Sequence, residues 1–460
     1  MKASRNRIYN VLMSDGVAGR AVGYVELLRG NQNFRRLWIG RVISQTGDWF
    51  NSVALFTLLL SLTGSGESIG YVLIIKLLPT FFVGPLAGVV ADRFNRKTIM
   101  IVTDILRGIL ALGFLLVQRP DQVWMVYVIA ATEVVLSSFF EPAESAAVPS
   151  IVSRDELLSA NALSGASWSV TLAVGAALGG VVTGAFGRNT AFVIDALSFL
   201  ISAAYISAVR FPSLSAVRRP GKRRLSLADA TGVTDFIEGA RYLRSNLPVM
   251  ALLLVKAGWG LGGGVLLLLT IFGKQEFPVG RDGSTSIGLL YGSRGFGALI
   301  GPVIARWITS GSSRLMRQSI GIAFFLSAIF YVLFAQASSL PVAMMFVIGA
   351  HAGGSIQWVF STTLLQMSVP NRFLGRVFAL ELALLTLSMS VSTYLTGYGL
   401  DHRGMSARQM ATILGLAFVI PGIVWFMLQR RLNEAEASDA DRAPSIIEAE
   451  PATETSFPPM

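Results

Sequence analysis

The sequence predicts an all-α, polytopic membrane protein with twelve transmembrane helices in two pseudo-symmetric six-helix bundles. Three observations carry that expectation. Of 460 residues, 53% are hydrophobic and only 14% charged, against roughly 25% charged in a soluble domain. Long apolar runs recur from end to end, separated by short loops. Basic residues concentrate in every second loop, as they do where those loops stay in the cytoplasm.

Crossing a bilayer takes about 20 mostly apolar residues. Such runs lie at 38–62, 68–90, 98–117, 122–144, 160–186 and 191–209, then at 247–272, 286–309, 319–337, 341–364, 376–400 and 408–429. Alternate loops and the two ends, counted with the adjoining helix ends (305–318 and 365–376), hold 27 Lys and Arg, while the remaining loops, with Arg408 at the start of the last run, hold six. That bias expects both termini in the cytoplasm. Residues 1–37 form a basic cytoplasmic segment without a cleavable signal, so the first span serves as its own insertion signal. Spans 38–209 make the first bundle, 210–246 a cytoplasmic linker and 247–429 the second bundle. The acidic, Pro-containing stretch 430–460 is expected to be a disordered cytoplasmic tail. Gly84-Pro85 recurs as Gly301-Pro302 and Val148-Pro149 as Val369-Pro370, each about 220 residues on, as a duplicated six-helix unit requires.

The net charge of +11 is scattered between apolar runs, with no aromatic-interleaved patch for nucleic acid. With no Cys and two His, thiolate catalysis and thiolate metal sites are excluded and an imidazole metal site is disfavoured. No nucleotide loop or catalytic triad is present. Gly295, Gly297 and Gly301 fall inside an apolar run without a preceding strand, so close helix packing explains them better than phosphate binding. The sequence therefore expects no enzyme, no cofactor and no resident metal.

The loop 88–97, Gly-Val-Val-Ala-Asp-Arg-Phe-Asn-Arg-Lys, sits between the second and third spans. Gly88 would let two backbones approach, Asp92 can accept hydrogen bonds from a helix start, and Arg93, Arg96 and Lys97 hold the turn in the cytoplasm. This loop resembles the signature loop between helices 2 and 3 of the major facilitator superfamily. Further segments resemble its drug:proton antiporter-3 group, which includes macrolide efflux pumps, the enterobactin exporter and, more distantly, lysophospholipid transporters. They are Asn33-Phe34-Arg35-Arg36-Leu37-Trp38, Ser44-Gln45-Thr46-Gly47-Asp48, Asp104-Ile105-Leu106-Arg107, and the stretches 139–163 and 366–379. Three departures stand out. Glu144 replaces a basic or neutral residue, the loop after the eighth span lacks the Asp-Arg of its counterpart, and the glycine-rich fifth span (Gly175, Gly179, Gly180, Gly184) lacks the Pro typical of the antiporter helix.

Charged side chains at the centre of a bilayer cost about 2.5–3.5 kcal/mol, so they face a cavity or a partner. At a rise of 1.5 Å per residue, Asp48, Glu133 and His351 come out about 15 Å deep and Lys256 about 12 Å. The resemblance implies that these four lie one on each of the helices lining a central cavity (1, 4, 7 and 10). Asp48 is the first candidate for proton coupling, because a poorly solvated carboxylate can take up and release protons near neutral pH. The competing expectation is a permanent pair with Arg41, two turns earlier. Glu133 is the second candidate, or else a strut to the first or second span. Lys256 is expected to hold an anionic substrate group or to clamp Asp48 or Glu133, His351 to satisfy a buried hydrogen bond or relay protons, and Arg294 to face the cavity. Asp104 and Arg107 suit an ion pair near the inner gate. Glu141, Glu144 and Glu381 are expected to pair with Arg93, Arg96 or Arg376 in a cytoplasmic gate, and Asp195 and Lys76 to be structural.

Together these readings expect a proton-coupled exporter of an amphipathic small molecule (a drug, macrolide or siderophore), monomeric in the lipid of a bacterial inner membrane. Its partners are the substrate, protons and lipid, with no nucleic acid. A lysophospholipid transporter, a non-transporting sensor or assembly factor and a ferroportin-like metal exporter are the alternatives.

Overall fold

The computed structural model describes residues 22–211, 241, 243–244, 246–309 and 312–442, and among them all regular structure is helical. A short α1 (Tyr24–Gly30) precedes α2 (Gln32–Thr63), whose start is fixed by Asn31 accepting from the Phe34 amide at 3.0 Å. The second span is broken into α3 (Gly66–Ile75) and α4 (Leu78–Arg93). Pro79, at the second position of α4, lacks an amide hydrogen and cannot continue the ladder from α3. Asn95 caps α5 (Arg96–Gly113), which is followed by α6 (Val123–Ile151), α7 (Arg154–Phe186) and α8 (Arg188–Ser207).

In the second half, α9 (Leu247–Gly260) and α10 (Gly264–Ile271) are separated at a glycine-rich turn. There follow α11 (Ser284–Thr309), α12 (Ser313–Ala335), α13 (Leu340–Ser368), α14 (Asn371–His402), α15 (Ala407–Ala417) and α16 (Val419–Arg442). Helical backbone thus continues to Arg442, into the segment expected to be disordered. The linker 212–240 and the end of the tail, 443–460, lie outside the described residues.

Eleven described segments are long and apolar enough to cross a membrane. The remaining long helix, α2, has 32 residues, but polar positions such as Asp48 and Asn51 dilute its hydropathy. A set of twelve spans is consistent with this arrangement.

Two bundles result. In the first, α2 packs on α7 and α8, α5 on α6 and α8, and α4 on α6. In the second, α13 packs on α11 and α12, α9 on α14, and α12 on α15 and α16. The bundles meet along α7–α11 and α3–α14. At the face remote from the termini this seam is tight. A Cβ added at Gly180 of α7 would come 2.7 Å from the Cα of Gly288 on α11, so only glycine allows the approach. On the other side of the seam, Asp401 at the end of α14 accepts from Ser65 Oγ (2.6 Å), the Gly66 amide (3.2 Å) and the Glu67 amide (2.9 Å). An acid there complements the positive end of α3. Lys274 Nζ also donates to the Leu60 carbonyl at 2.9 Å.

Toward the terminal face the bundles separate. The expected close approach at Gly88 is absent: a Cβ there, at Gly84 or at Gly375 would meet nothing within 4 Å. The separation leaves a cavity of about 740 Å³ between the bundles, reaching from the molecule's middle toward the terminal face.

Candidate functional site

The first bundle holds a buried charge cluster. On α2, Asp48, Asn51 and Ser52 share one face through their three- and four-residue spacing. Arg107 Nη2 of α5 bonds Asp48 Oδ1 at 2.7 Å, with its guanidinium 4.2 Å from the Phe199 ring. Asn51 Nδ2 donates to Asp195 of α8 at 2.8 Å and reaches Glu133 of α6 at 3.5 Å. Lys76, at the break between α3 and α4, donates to Ser52 Oγ at 2.8 Å. Arg107 and Glu133 are buried, Asp104 and Asp195 fully so, whereas the Asp48 side chain is 37% exposed.

Four carboxylates (Asp48, Asp104, Glu133, Asp195) therefore share two cations (Arg107, Lys76). The hydrogen bonding is incomplete as well: one oxygen each of Glu133 and Asp195 and two nitrogens of Arg107 have no partner among the described residues, and Asp104 has only the Ser202 hydroxyl nearby, without a well-formed hydrogen bond. Uncompensated carboxylates at such a depth call for protons, water or a cation.

Several expected pairings are corrected. Arg41 does not hold Asp48; it bridges Glu144 at 3.3 Å and Glu141 at 3.6 Å of α6 and lies 5.1 Å from the Phe140 ring. Arg107 turns to Asp48 rather than to Asp104 on its own helix, so the expected Asp104–Arg107 pair is not formed. Glu141 and Glu144 meet Arg41 instead of Arg93, Arg96 or Arg376. Asp195 and Lys76, expected to be structural, belong to the cluster, and the signal for them was simply a charge within an apolar run.

In the second bundle Lys256 of α9 clamps neither Asp48 nor Glu133. It pairs with Glu381 of α14 at 2.7 Å, both side chains nearly fully buried, with its ammonium 4.4 Å from the Trp358 ring. Glu381 consequently takes no part in a gate with Arg376, whose guanidinium lies 5.9 Å from the Phe373 ring. His351 of α13 meets the Tyr331 hydroxyl at 3.1 Å. Arg294 of α11 and His351 both line the central cavity, together with Trp168, Trp259, Trp358 and Met389. No carboxylate is among the residues lining that cavity. Glycine at 354 leaves room for the Trp259 indole nitrogen, which a Cβ would strike.

Around the 88–97 loop, Arg96 donates to the Ala146 carbonyl at 2.7 Å. Lys97 reaches the carbonyls of Ser207 (2.6 Å) and Val209 (2.8 Å). Both basic residues thus tie the loop to the ends of α6 and α8 within its own bundle. Arg93 is exposed, and the Asp92 side chain lies outside the described residues.

This architecture matches known transporters. The family model described as transmembrane secretion effector matches residues 28–456. The chain belongs to that family, within the major facilitator superfamily. Among its relatives, the uncharacterized MFS-type transporter YfiS of Bacillus subtilis is 26% identical over 87% of this chain and 93% of its own length. Macrolide efflux protein A of Streptococcus pyogenes is 24% identical over 85% of this chain and 95% of its own. Among solved structures, a bacterial homologue of the iron transporter ferroportin in an inward-facing state superposes with a TM-score of 0.65. At 18% identity, over 87% of this chain and 99% of that one, it speaks for the fold alone. Membership makes the chain a multi-pass membrane transporter acting on a small molecule.

Proposed function

We propose that the chain is a secondary active exporter that exchanges protons for an amphipathic small molecule by alternating access across a bacterial cytoplasmic membrane. The observation that carries this reading is the excess of carboxylates over cations at membrane depth in the first bundle. Asp48 is the entry point, because it alone of the four is substantially exposed, and Glu133 and Asp195 stand behind it on Asn51. A proton placed on Asp48 frees Arg107 to swing toward the carboxylates behind, and its loss draws Arg107 back.

The basic-loop bias puts both termini in the cytoplasm. The tight far seam then faces outward, and the cavity opens inward, ready to load substrate. After loading, the two bundles rock about the midplane, the far seam parts and the terminal face closes. In that outward-open state Gly88 meets α14 and the loop with Asp92 abuts the start of α14 near Leu374 and Arg376. Similarity to a macrolide efflux protein supports an efflux direction for a drug-sized molecule.

The test is substrate-driven proton movement in everted vesicles bearing wild type or Asp48→Asn. The panel holds a macrolide, a cationic dye, a catecholate siderophore and a lysophospholipid. Proton release with one compound, lost in the correctly inserted mutant, is the expected result. Full coupled transport by Asp48→Asn would remove this residue, and with it the reading of the cluster.

A further inference from the structure

The charge of the central cavity points to a substrate class. The sequence offers two basic residues at the cavity, Lys256 and Arg294, but the structure neutralises the first with Glu381. Arg294 is different. The ionisable side chains acting on it among the described residues are the hydroxyls of Tyr291 and Tyr331, with His351 alongside, and it pairs with no described carboxylate. A guanidinium does not give up its proton at physiological pH, so a full positive charge stands in the cavity wall near the middle of the membrane. Around it are three tryptophans from three helices, α7, α9 and α13, with Trp168 and Trp358 substantially exposed. Trp259 and Trp358 are set edge to face at 5.9 Å, presenting ring surface rather than one flat slot. The volume of about 740 Å³ suits a drug-sized molecule.

We propose that Arg294 anchors an anionic group of the substrate, carboxylate or phosphate-like, while Trp168, Trp259 and Trp358 take an aromatic body. The preferred substrate is an aromatic amphipathic anion. A permanent cation without an apolar rim would find an uncompensated like charge and no carboxylate. This assignment rests on the exporter reading for its biological meaning, but binding can be tested apart from transport.

The experiment is calorimetric titration of the full chain in lipid nanodiscs, with empty nanodiscs as blanks. The probes are 2-naphthylacetate, the neutral 2-naphthylacetamide, the cationic 2-naphthylethylamine, and dodecyl phosphate as a lipid-like anion. The wild type is expected to bind 2-naphthylacetate at least tenfold tighter than the amide and the amine. Arg294→Gln is expected to erase that preference, and Arg294→Lys to keep part of it. Equal binding of the three naphthyl probes, preference for the amine, or no detectable binding of the carboxylate would overturn the proposal. Wild-type preferences decide this even if Arg294→Gln fails to fold. Tighter binding of dodecyl phosphate than of 2-naphthylacetate would overturn the aromatic part and assign the cavity to lipid. Loss of anion preference with Asp48-dependent proton movement intact would leave the exporter standing and remove only its substrate class. Anion preference without proton movement would do the reverse.

Discussion

Asp401→Ala is expected to loosen the far seam. In the structure this carboxylate accepts three hydrogen bonds from the start of α3, at 2.6, 3.2 and 2.9 Å, and so ties a helix end of one bundle to a helix start of the other. Hydrogen bonds to a charged group contribute about 1.5–3 kcal/mol when shielded, but Asp401 is exposed, and exposed charge pairs contribute only about 0–1 kcal/mol. Interaction with a helix N-terminus adds about 0.3–1 kcal/mol. A sum of about 1–2 kcal/mol for the whole latch follows, which corresponds to a shift of roughly tenfold in the ratio of far-closed to far-open molecules. The absence of native Cys allows spin labels to be placed at Arg119→Cys and Arg403→Cys, exposed positions of the two bundles on that face. Pulsed dipolar distances in nanodiscs are expected to gain a longer component in Asp401→Ala, and a smaller one in Asp401→Asn, which keeps an acceptor oxygen but not the charge. An unchanged distance distribution in Asp401→Ala would show that the contact carries no energy in the conformational equilibrium.

Other expectations rest on the same geometry. Removing one member of the buried Lys256–Glu381 pair, as in Lys256→Met, is expected to lower stability by about 3–5 kcal/mol, with much of the loss regained in Lys256→Met/Glu381→Leu. Thermal denaturation of Lys256→Met, Glu381→Leu and the double variant checks this, and an additive double mutant would contradict the pairing. Asn51→Ala leaves Asp195 without its described hydrogen-bond donor, so a drop of about 1–3 kcal/mol is expected together with weakened proton coupling. Denaturation and vesicle acidification on one preparation read both. Gly88→Leu meets open space in this conformation and is expected to leave melting temperature unchanged while suppressing turnover, because the terminal face must close on it; normal transport by Gly88→Leu would refute that closure. Gly180→Leu, by contrast, collides with α11 in the far seam and is expected to destabilise the protein as it stands.

Much of the fold was legible because the physics of spanning is one-dimensional. Length and hydropathy of each apolar run decide whether it crosses, and loop charge decides its direction. The breaks in the second and seventh spans had signals, Pro79 and the glycines at 260–264, yet a hydropathy reading runs straight through both. The start of α2 six residues ahead of its apolar run follows from Asn31 as a cap, a local side-chain contact rather than a property of the run. The site was legible only in one coordinate. Rise per residue gives the depth of Asp48, Glu133, Lys256 and His351, but not which neighbouring helix each one faces. Arg41 and Asp48 are two turns apart on α2 and the sequence pairs them, whereas the packing sends the first to α6 and the second to α5. Asp104 and Arg107 were separated in the same way. Pairing between helices depends on their rotation, which no spacing within a single helix encodes.

Those rotations divide the charges unequally between the bundles, and the division bears on coupling. The first bundle keeps more carboxylates than cations around Asp48. The second cancels Lys256 with Glu381 and leaves Arg294 in the cavity wall. In the exporter reading, the protons and the anionic group of the substrate are therefore held by different bundles and do not compete for one group. Coupling then has to pass through the relative position of the bundles. A route exists in α2: the helix that carries Asp48 and Asn51 ends in the far seam, where the Leu60 carbonyl takes the Lys274 ammonium of the other bundle. A change of partner at Asp48 that shifts or rotates α2 by a fraction of a turn would strain that bond. Substrate on Arg294 acts on the same seam from the other side, since α11 carries both Arg294 and Gly288. Lys274→Met is accordingly expected to leave proton binding to the cluster and ligand binding to the cavity intact while reducing the transport that links them. Loss of either binding event in that variant, measured by titration of the full chain, would contradict the route.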